Sequence, residues 1–291
     1  MVQTATTGNL ASAQRIIIAA TRYTEEHNAP AMSLIEKISL QRGAKQVTVP
    51  KVGQMTMSDL VDGQDIVDVQ EIGMSTVDLT SAEVGGKAIV TDKLLRQSQP
   101  EVFGMIGRQM GDGMARKEDT DVIALYSGLN GGTVFGGAAA LLNVSNLSAS
   151  IAKAKGKATN PFNPTYVLHH PNAVYQYIKS STPIGNSNFW PPELSKARLE
   201  KFWSRTPALN GVMVFEDGNI TLGASSVGVM AEKGAMVVLR SLETRTERER
   251  DASLRGTEIV MVSDYGVFEL DDTKGAPMTH TSAAPSDSAT A

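Results

Sequence analysis

The stretch from Gln99 to Tyr126, QPEVFGMIGRQMGDGMARKEDTDVIALY, constrains the fold more than any other part of this chain. Ser98 and Glu101 form an S-x-x-E capping box, and Pro100 stands in the first turn, where a missing N–H costs nothing. Val102, Phe103, Ile106, Met110 and Met114 recur at spacings of three and four, and Val122, Ile123 and Leu125 resume the apolar face. The spacing predicts one helix over 99–126, roughly 40 Å long at about 1.5 Å per residue. A globular helix averages about 11–12 residues, so something must lie along most of this one. Gly104, Gly107 and Gly111 fall on one face of it. Each mid-helix glycine costs about 1 kcal/mol relative to alanine, and the compensation is close backbone approach. We therefore expect a strand or hairpin to cross the helix there; the alternative is a helix merely kinked or weakened at that point.

Ahead of the helix the period changes from helical to alternating. Val47 and Val49, Val67 and Val69, and Val77 and Leu79 alternate with polar neighbours, as half-buried strands do. Between them GQMTMSDLVDGQD, with Asp59, Asp62 and Asp65, offers little to bury. An isolated two-stranded hairpin is marginal in water, so a long one should lie on another surface, or fold back on its own domain. Lys87 to Thr91 reads as a short strand leading to the helix.

The chain before residue 30 reads as a polar arm followed by a helix over about Ser12 to His27, with a second short helix holding Leu34, Ile35 and Ile38 and ending at Gly43. After the spine, the Gly- and Ala-rich GLNGGTVFGGAAALL suggests a crossing between domains. A compact α/β unit follows: a helix over Ser148 to Lys155, a buried strand over Tyr166 to His169, and a helix opened by Pro171 or Asn172. NFWPPELSKARLEKFW is a looped excursion, and Gly211 to Phe215 and Ile220 to Val229 supply more strand. Met236 to Thr246 and Thr257 to Leu270 form an antiparallel pair joined by ERERDASLRG. There Glu243, Arg245, Glu247, Arg248, Glu249 and Arg250 mix signs densely, either as a solvated hairpin end or as a source of salt bridges to another subunit. Beyond Asp271 the tail lacks the apolar content to fold and is expected to be disordered.

Chemistry is sparse. No cysteine is present, which excludes disulfides, thiolate metal sites and a cysteine nucleophile. His27, His169, His170 and His280 are the four histidines. The adjacent pair cannot easily share an ion from a strand, where consecutive side chains point to opposite faces. Glu118, Asp119 and Asp121 adjoin Arg116 and Lys117 and read as a solvated cluster. No phosphate loop, nucleophile elbow or zinc-protease motif occurs. The reading is of no catalytic residue, cofactor or metal. A formal net charge of −4 argues against a protein that grips nucleic acid through its phosphates. No spanning or targeting segment is read; Ile16 to Ala20 is far shorter than the ~20 residues of a membrane helix.

Three segments in order resemble the major capsid proteins of tailed bacteriophages: QVTVPKVGQMTMSDLVDGQDI, the strand ending in VTDKLLRQS with its capped helix, and NPTYVLHHPNAVYQYIKSS. The similarity runs over about residues 30 to 270. It implies an α+β chain with the Hong Kong 97-type phage capsid fold, made of an N-terminal arm, an extended β-hairpin loop, a peripheral domain with a long spine helix, and an axial α/β domain. On this reading 1–44 is the arm, 45–86 the hairpin, 87–130 with 236–272 the peripheral domain, 131–235 the axial domain and 273–291 the disordered tail. The resemblance implies pentamers and hexamers in an icosahedral head around double-stranded DNA, held without sequence-specific binding. Implied partners are the chain itself, a separate scaffolding protein, a portal and optionally a decoration protein, with no membrane; the location is the virion, assembled in the host cytoplasm. Candidate inter-subunit contacts are Asp59, Asp62 and Asp65, Gly104, Gly107 and Gly111, and the charged run Glu243 to Arg250. Lys51 and Lys87 lie in or beside the hairpin, and neither carries a signature of covalent cross-linking. The alternatives are an encapsulin-type nanocompartment, which resembles the same fold, and a soluble α/β enzyme.

Overall fold

The computed structural model describes residues 30–41, 44–52, 74–97, 102–181 and 208–285. The spine helix is present as α3 (Val102–Leu125). It follows α1 (Ala31–Leu34), β1 (Glu36–Ser39), β2 (Gln46–Val52), β3 (Met74–Thr80), β4 (Ala82–Thr91) and α2 (Asp92–Gln97). After it come β5 (Phe135–Gly136), α4 (Val144–Lys155), β6 (Tyr166–His169), α5 (Pro171–Ser181), β7 (Ala208–Leu209), β8 (Val212–Glu216), β9 (Ser226–Ala231), β10 (Met236–Asp251), β11 (Gly256–Glu269) and β12 (Gly275–His280). The capping box Ser98–Glu101, the arm before residue 30, the loop with both tryptophans and the hairpin tip lie outside the described residues.

Two sheets organise the rest. The first has the order β1-β10-β11-β4. Its centre is the long hairpin β10–β11, antiparallel from Met236↔Glu269 to Asp251↔Gly256, and β4 runs antiparallel to β11 from Tyr265↔Ala82 to Gly256↔Thr91. Residues Ile259, Met261, Ser263 and Tyr265 of β11 are buried at a spacing of two, and α3 packs across β11 and β4. The helical period in turn buries Met114, Glu118 and Val122 on the helix, spaced by four. On the opposite face Leu79, Val237 and Leu239 meet Val47, Val49 and Val77, so the root of the β2–β3 hairpin covers the sheet. That hairpin pairs Val47↔Leu79 and Val49↔Val77, as the alternation anticipates.

The second sheet, β5-β12-β9-β6-β8-β7, is mixed. β6 and β8 are parallel and joined through α5, while β9 runs antiparallel to both β6 and β12. Its strands β6, β9 and β12 are buried on both faces. Val167, Met230 and Met278 pack under α4 and α5 with Leu147, Ile151, Val174 and Tyr177. Leu168, Val229 and Ala231 face the other way, into a cluster with Val122, Tyr126, Met236, Val238 and Tyr265. That second cluster joins the end of the spine helix to both sheets. Local signals start the two helices: the Asn143 side chain accepts from the Asn146 N–H at 2.7 Å to cap α4, and His170 Nδ1 accepts from the Asn172 N–H at 3.1 Å where Pro171 opens α5.

Four expectations are corrected. The short helix placed over Leu34, Ile35 and Ile38 stops at Leu34; Glu36–Ser39 is strand, because it pairs parallel with Val237–Arg240 and alternates in burial. The connection ERERDASLRG is mostly strand, since β10 continues to Asp251 and only 252–255 turn. Asp251 makes that turn by accepting from the Ser253 and Leu254 N–H groups. The tail expected to be disordered from residue 273 instead supplies β12, which pairs with β9 from Gly275↔Ala231 to His280↔Ser226. Ala276 and Met278 are fully buried there, so a low apolar content overall concealed two well-placed residues. Finally, Glu118 and Asp119 are buried, not solvated.

Candidate assembly surfaces

The spine glycines present an open face. A Cβ built on Gly104, Gly107 or Gly111 meets nothing within 4 Å. No strand or hairpin of the described chain therefore crosses the helix there. Beside this face lies a groove of about 330 Å3 lined by Val84, Gly85, Gly86, Met110, Gly113, Met114, Lys117 and Met261. Sequence reasoning missed Gly113 of the helix and Gly85 and Gly86 of β4 among its lining; the pairing of β4 with β11 is what sets the last two beside the helix.

The charged run forms the exposed outer half of β10. Some of it is paired within the chain. Arg240 binds Glu118 at 2.7 Å and Glu243 at 3.1 Å, and Arg245 binds Glu247 at 2.9 Å. Arg250 grips Asp92 with both guanidinium nitrogens, at 3.0 and 2.8 Å, and that carboxylate holds the guanidinium pKa above its ordinary value. Asp92 is the first residue of α2, so this pair fastens the tip of the β10–β11 hairpin to the base of the helical segment. The Asp251 carboxyl is lowered, first by the Ser253 side chain and then by the Leu254 and Ser253 amides. Asp59, Asp62 and Asp65 lie outside the described residues. Lys51 pairs with Asp271 at 2.5 Å, and Lys87 pairs with Glu258.

The histidines resolve into structure of another kind. His169 Nδ1 accepts from the His170 N–H at 2.9 Å, and its ring lies 5.7 Å from that of His280, which the sequence placed in the tail. Both rings are fully buried. Burial, and then the neighbouring His280 and His170, push His169 down to about 3, so it is neutral. Among the described residues, no group of three or more acidic, histidine or cysteine side chains is placed to hold a metal ion, and no helix is long and apolar enough to cross a membrane.

A long helix laid across a sheet, a second, mixed sheet, and a hairpin whose root covers the first sheet make up the Hong Kong-type shell fold. Residues 75–276 match the family of phage capsid proteins, and this chain belongs to that family. It is a major capsid protein. Solved structures show the same fold at low identity. One from Mycobacterium phage Che8 is 16% identical, with a TM-score of 0.66, over 90% of this chain and 94% of that one. The capsid structure of the cyanophage P-SCSP1u is 14% identical, with a TM-score of 0.66, over 89% and 90% of the two chains. The holo-SrpI encapsulin complex from Synechococcus elongatus is 12% identical, with a TM-score of 0.61, over 96% and 98%. No curated protein matches the sequence.

Proposed function

We propose that copies of this chain form pentamers and hexamers that tile an icosahedral head around double-stranded DNA. The first sheet with the spine helix is its peripheral domain, and the six-stranded sheet is its axial domain. The observation that carries this reading is the match to phage capsid proteins over 75–276, joined to a subunit with long, incompletely covered surfaces. A charged strand and an open helix face are unlike patches, and contact between unlike patches closes into rings. The function is mechanical, with no catalysis, and DNA is enclosed rather than gripped, in keeping with a net charge of −4. A separate scaffolding protein and a portal complete assembly in the host cytoplasm, with a decoration protein as an optional addition.

A second reading is favoured by one observation: the encapsulin likeness extends over 96% of this chain. In that case the shell would hold a protein cargo. Electron microscopy of the purified full-length chain, alone and with the scaffold from the same genome, tests both. Closed shells or five- and six-fold rings support the capsid reading, and nuclease-protected DNA in native particles separates it from the cargo reading. A persistent monomer with and without scaffold would overturn both.

A further inference from the structure

Two acidic side chains meet in the cluster that joins the spine helix to the second sheet. Asp119, on α3, and Asp217, in the turn after β8, are 0% and 1% exposed. Asp119 is well supplied with donors: its Oδ1 accepts from the Ala31 N–H at 3.1 Å and its Oδ2 from the Asn219 side-chain amide at 2.9 Å. Asp217 Oδ1 accepts from the Asn219 N–H at 2.8 Å. Asp217 Oδ2 is buried with no donor among the described residues, and Asn219, donating to both side chains, holds the Asp119 carboxyl, another acceptor, beside Asp217. Two facing carboxylates in a dry site cannot both stay ionised. One proton between them supplies the missing donor and removes one charge.

We propose that Asp119 and Asp217 share a single proton at neutral pH, and that this proton clasps three parts of the subunit: α1 through the Ala31 amide, the spine helix through Asp119, and the second sheet through Asp217. Alkali removes it and loosens the joint. Tyr126, just beyond α3, faces the pair, and Tyr166, on β6, neighbours Tyr126; burial first holds both phenols above their usual range, so they stay neutral. Glu118 and Asp121 of the same helix turn to Arg240 and Tyr265. The α1 residues Ala31–Leu34 contribute no titratable group. Burial and then Asp119 push the Asp217 carboxyl up to about 8, which agrees with the geometry. A divalent cation would need about six or more oxygen ligands, and two carboxylates fall short.

The sign follows from proton counting. Between about pH 4, where a free carboxyl titrates, and about pH 8, the folded chain holds a proton that the unfolded chain has lost, so stability falls as pH rises. The test compares the full-length chain with Asp217→Asn, whose amide supplies a permanent donor, in the same oligomeric state at pH 6.5 and 8.5. The wild type should lose several degrees of melting temperature and show faster hydrogen exchange at the Ala31 amide, while the variant stays flat. Parallel slopes in the two proteins would overturn the proposal, as would a wild-type melting temperature at pH 8.5 that calcium or magnesium raises. Should the variant not fold, infrared spectra of the wild type decide. A protonated-carboxyl band present at pH 7 and lost with a midpoint near 8 supports the shared proton, and its absence at pH 7 refutes it.

Discussion

Arg240 on β10 lies 2.7 Å from Glu118 on the spine helix, and this pair fastens the first sheet to the helix that crosses it. The two side chains are 22% and 11% exposed, so the interaction is mostly out of water. Removing one partner strands the other charge. Arg240→Ala should cost on the order of 2–4 kcal/mol, read as a lower urea midpoint. Replacing both, as Arg240→Met with Glu118→Leu, should recover most of that loss. A double variant as unstable as the single one would show that the pair does more than cancel its own charges.

Gly228 on β9 sits beneath His169. A Cβ there would stand 2.4 Å from the Leu168 carbonyl oxygen and 2.5 Å from His169 Cδ2, both inside contact distance. Gly228→Ala should cost about 1–3 kcal/mol by overpacking, measured by chemical unfolding.

The spine glycines should behave in the opposite way. With nothing within 4 Å of a new Cβ, Gly107→Ala should stabilise the isolated subunit by up to about 1 kcal/mol through helix propensity. Loss of shell assembly alongside higher subunit stability would place Gly107 in a contact between subunits. Unchanged assembly in Gly107→Leu would remove it from the candidate contacts.

Acid should weaken the second sheet. His169 is held down to about 3 and His280 is lowered, in both cases first by burial. The unfolded chain takes up protons below about pH 6.5 that the folded chain refuses, so stability is full above that pH and declines as pH falls toward 3. His169→Asn keeps an acceptor for the His170 amide and should flatten this decline in melting temperature between pH 6 and 4. This limb runs opposite to that of the Asp119–Asp217 pair, so the wild type should be most stable at mildly acidic pH.

Ending the chain after Lys274 removes β12 and uncovers β9 on one side. Fully buried Ala276, Met278 and His280 leave with it. The truncated protein should lose cooperative unfolding by circular dichroism. A soluble, cooperatively folding product would show the six-stranded sheet to be complete without its C-terminal strand.

Much of this architecture is written in local pattern. The apolar spacing from Val102 onward gives α3, the alternation Val47, Val49, Val77 and Leu79 gives the root of the hairpin, and Pro171 marks the start of α5. Each depends on neighbours within a few residues, which a linear reading contains. The misplaced strands share one cause. Glu36–Ser39, the outer half of β10 and β12 take their conformation from strands distant in sequence, so their own composition is a poor guide. A polar, Ala-rich tail becomes a central strand because β9 and β5 offer it backbone partners on both sides.

The same division holds for charge and for surface. The sequence alone determined a cysteine-free, weakly acidic chain with a long spine helix and no catalytic motif, because those are properties of composition and short-range spacing. Tertiary structure decided which polar groups are buried: Asp119 and Asp217 meet from 98 positions apart, and His169 meets His280. It also decided that no other described part of the chain covers the glycine face of the spine. Burial is a property of what packs against a residue, and no neighbour in sequence supplies it.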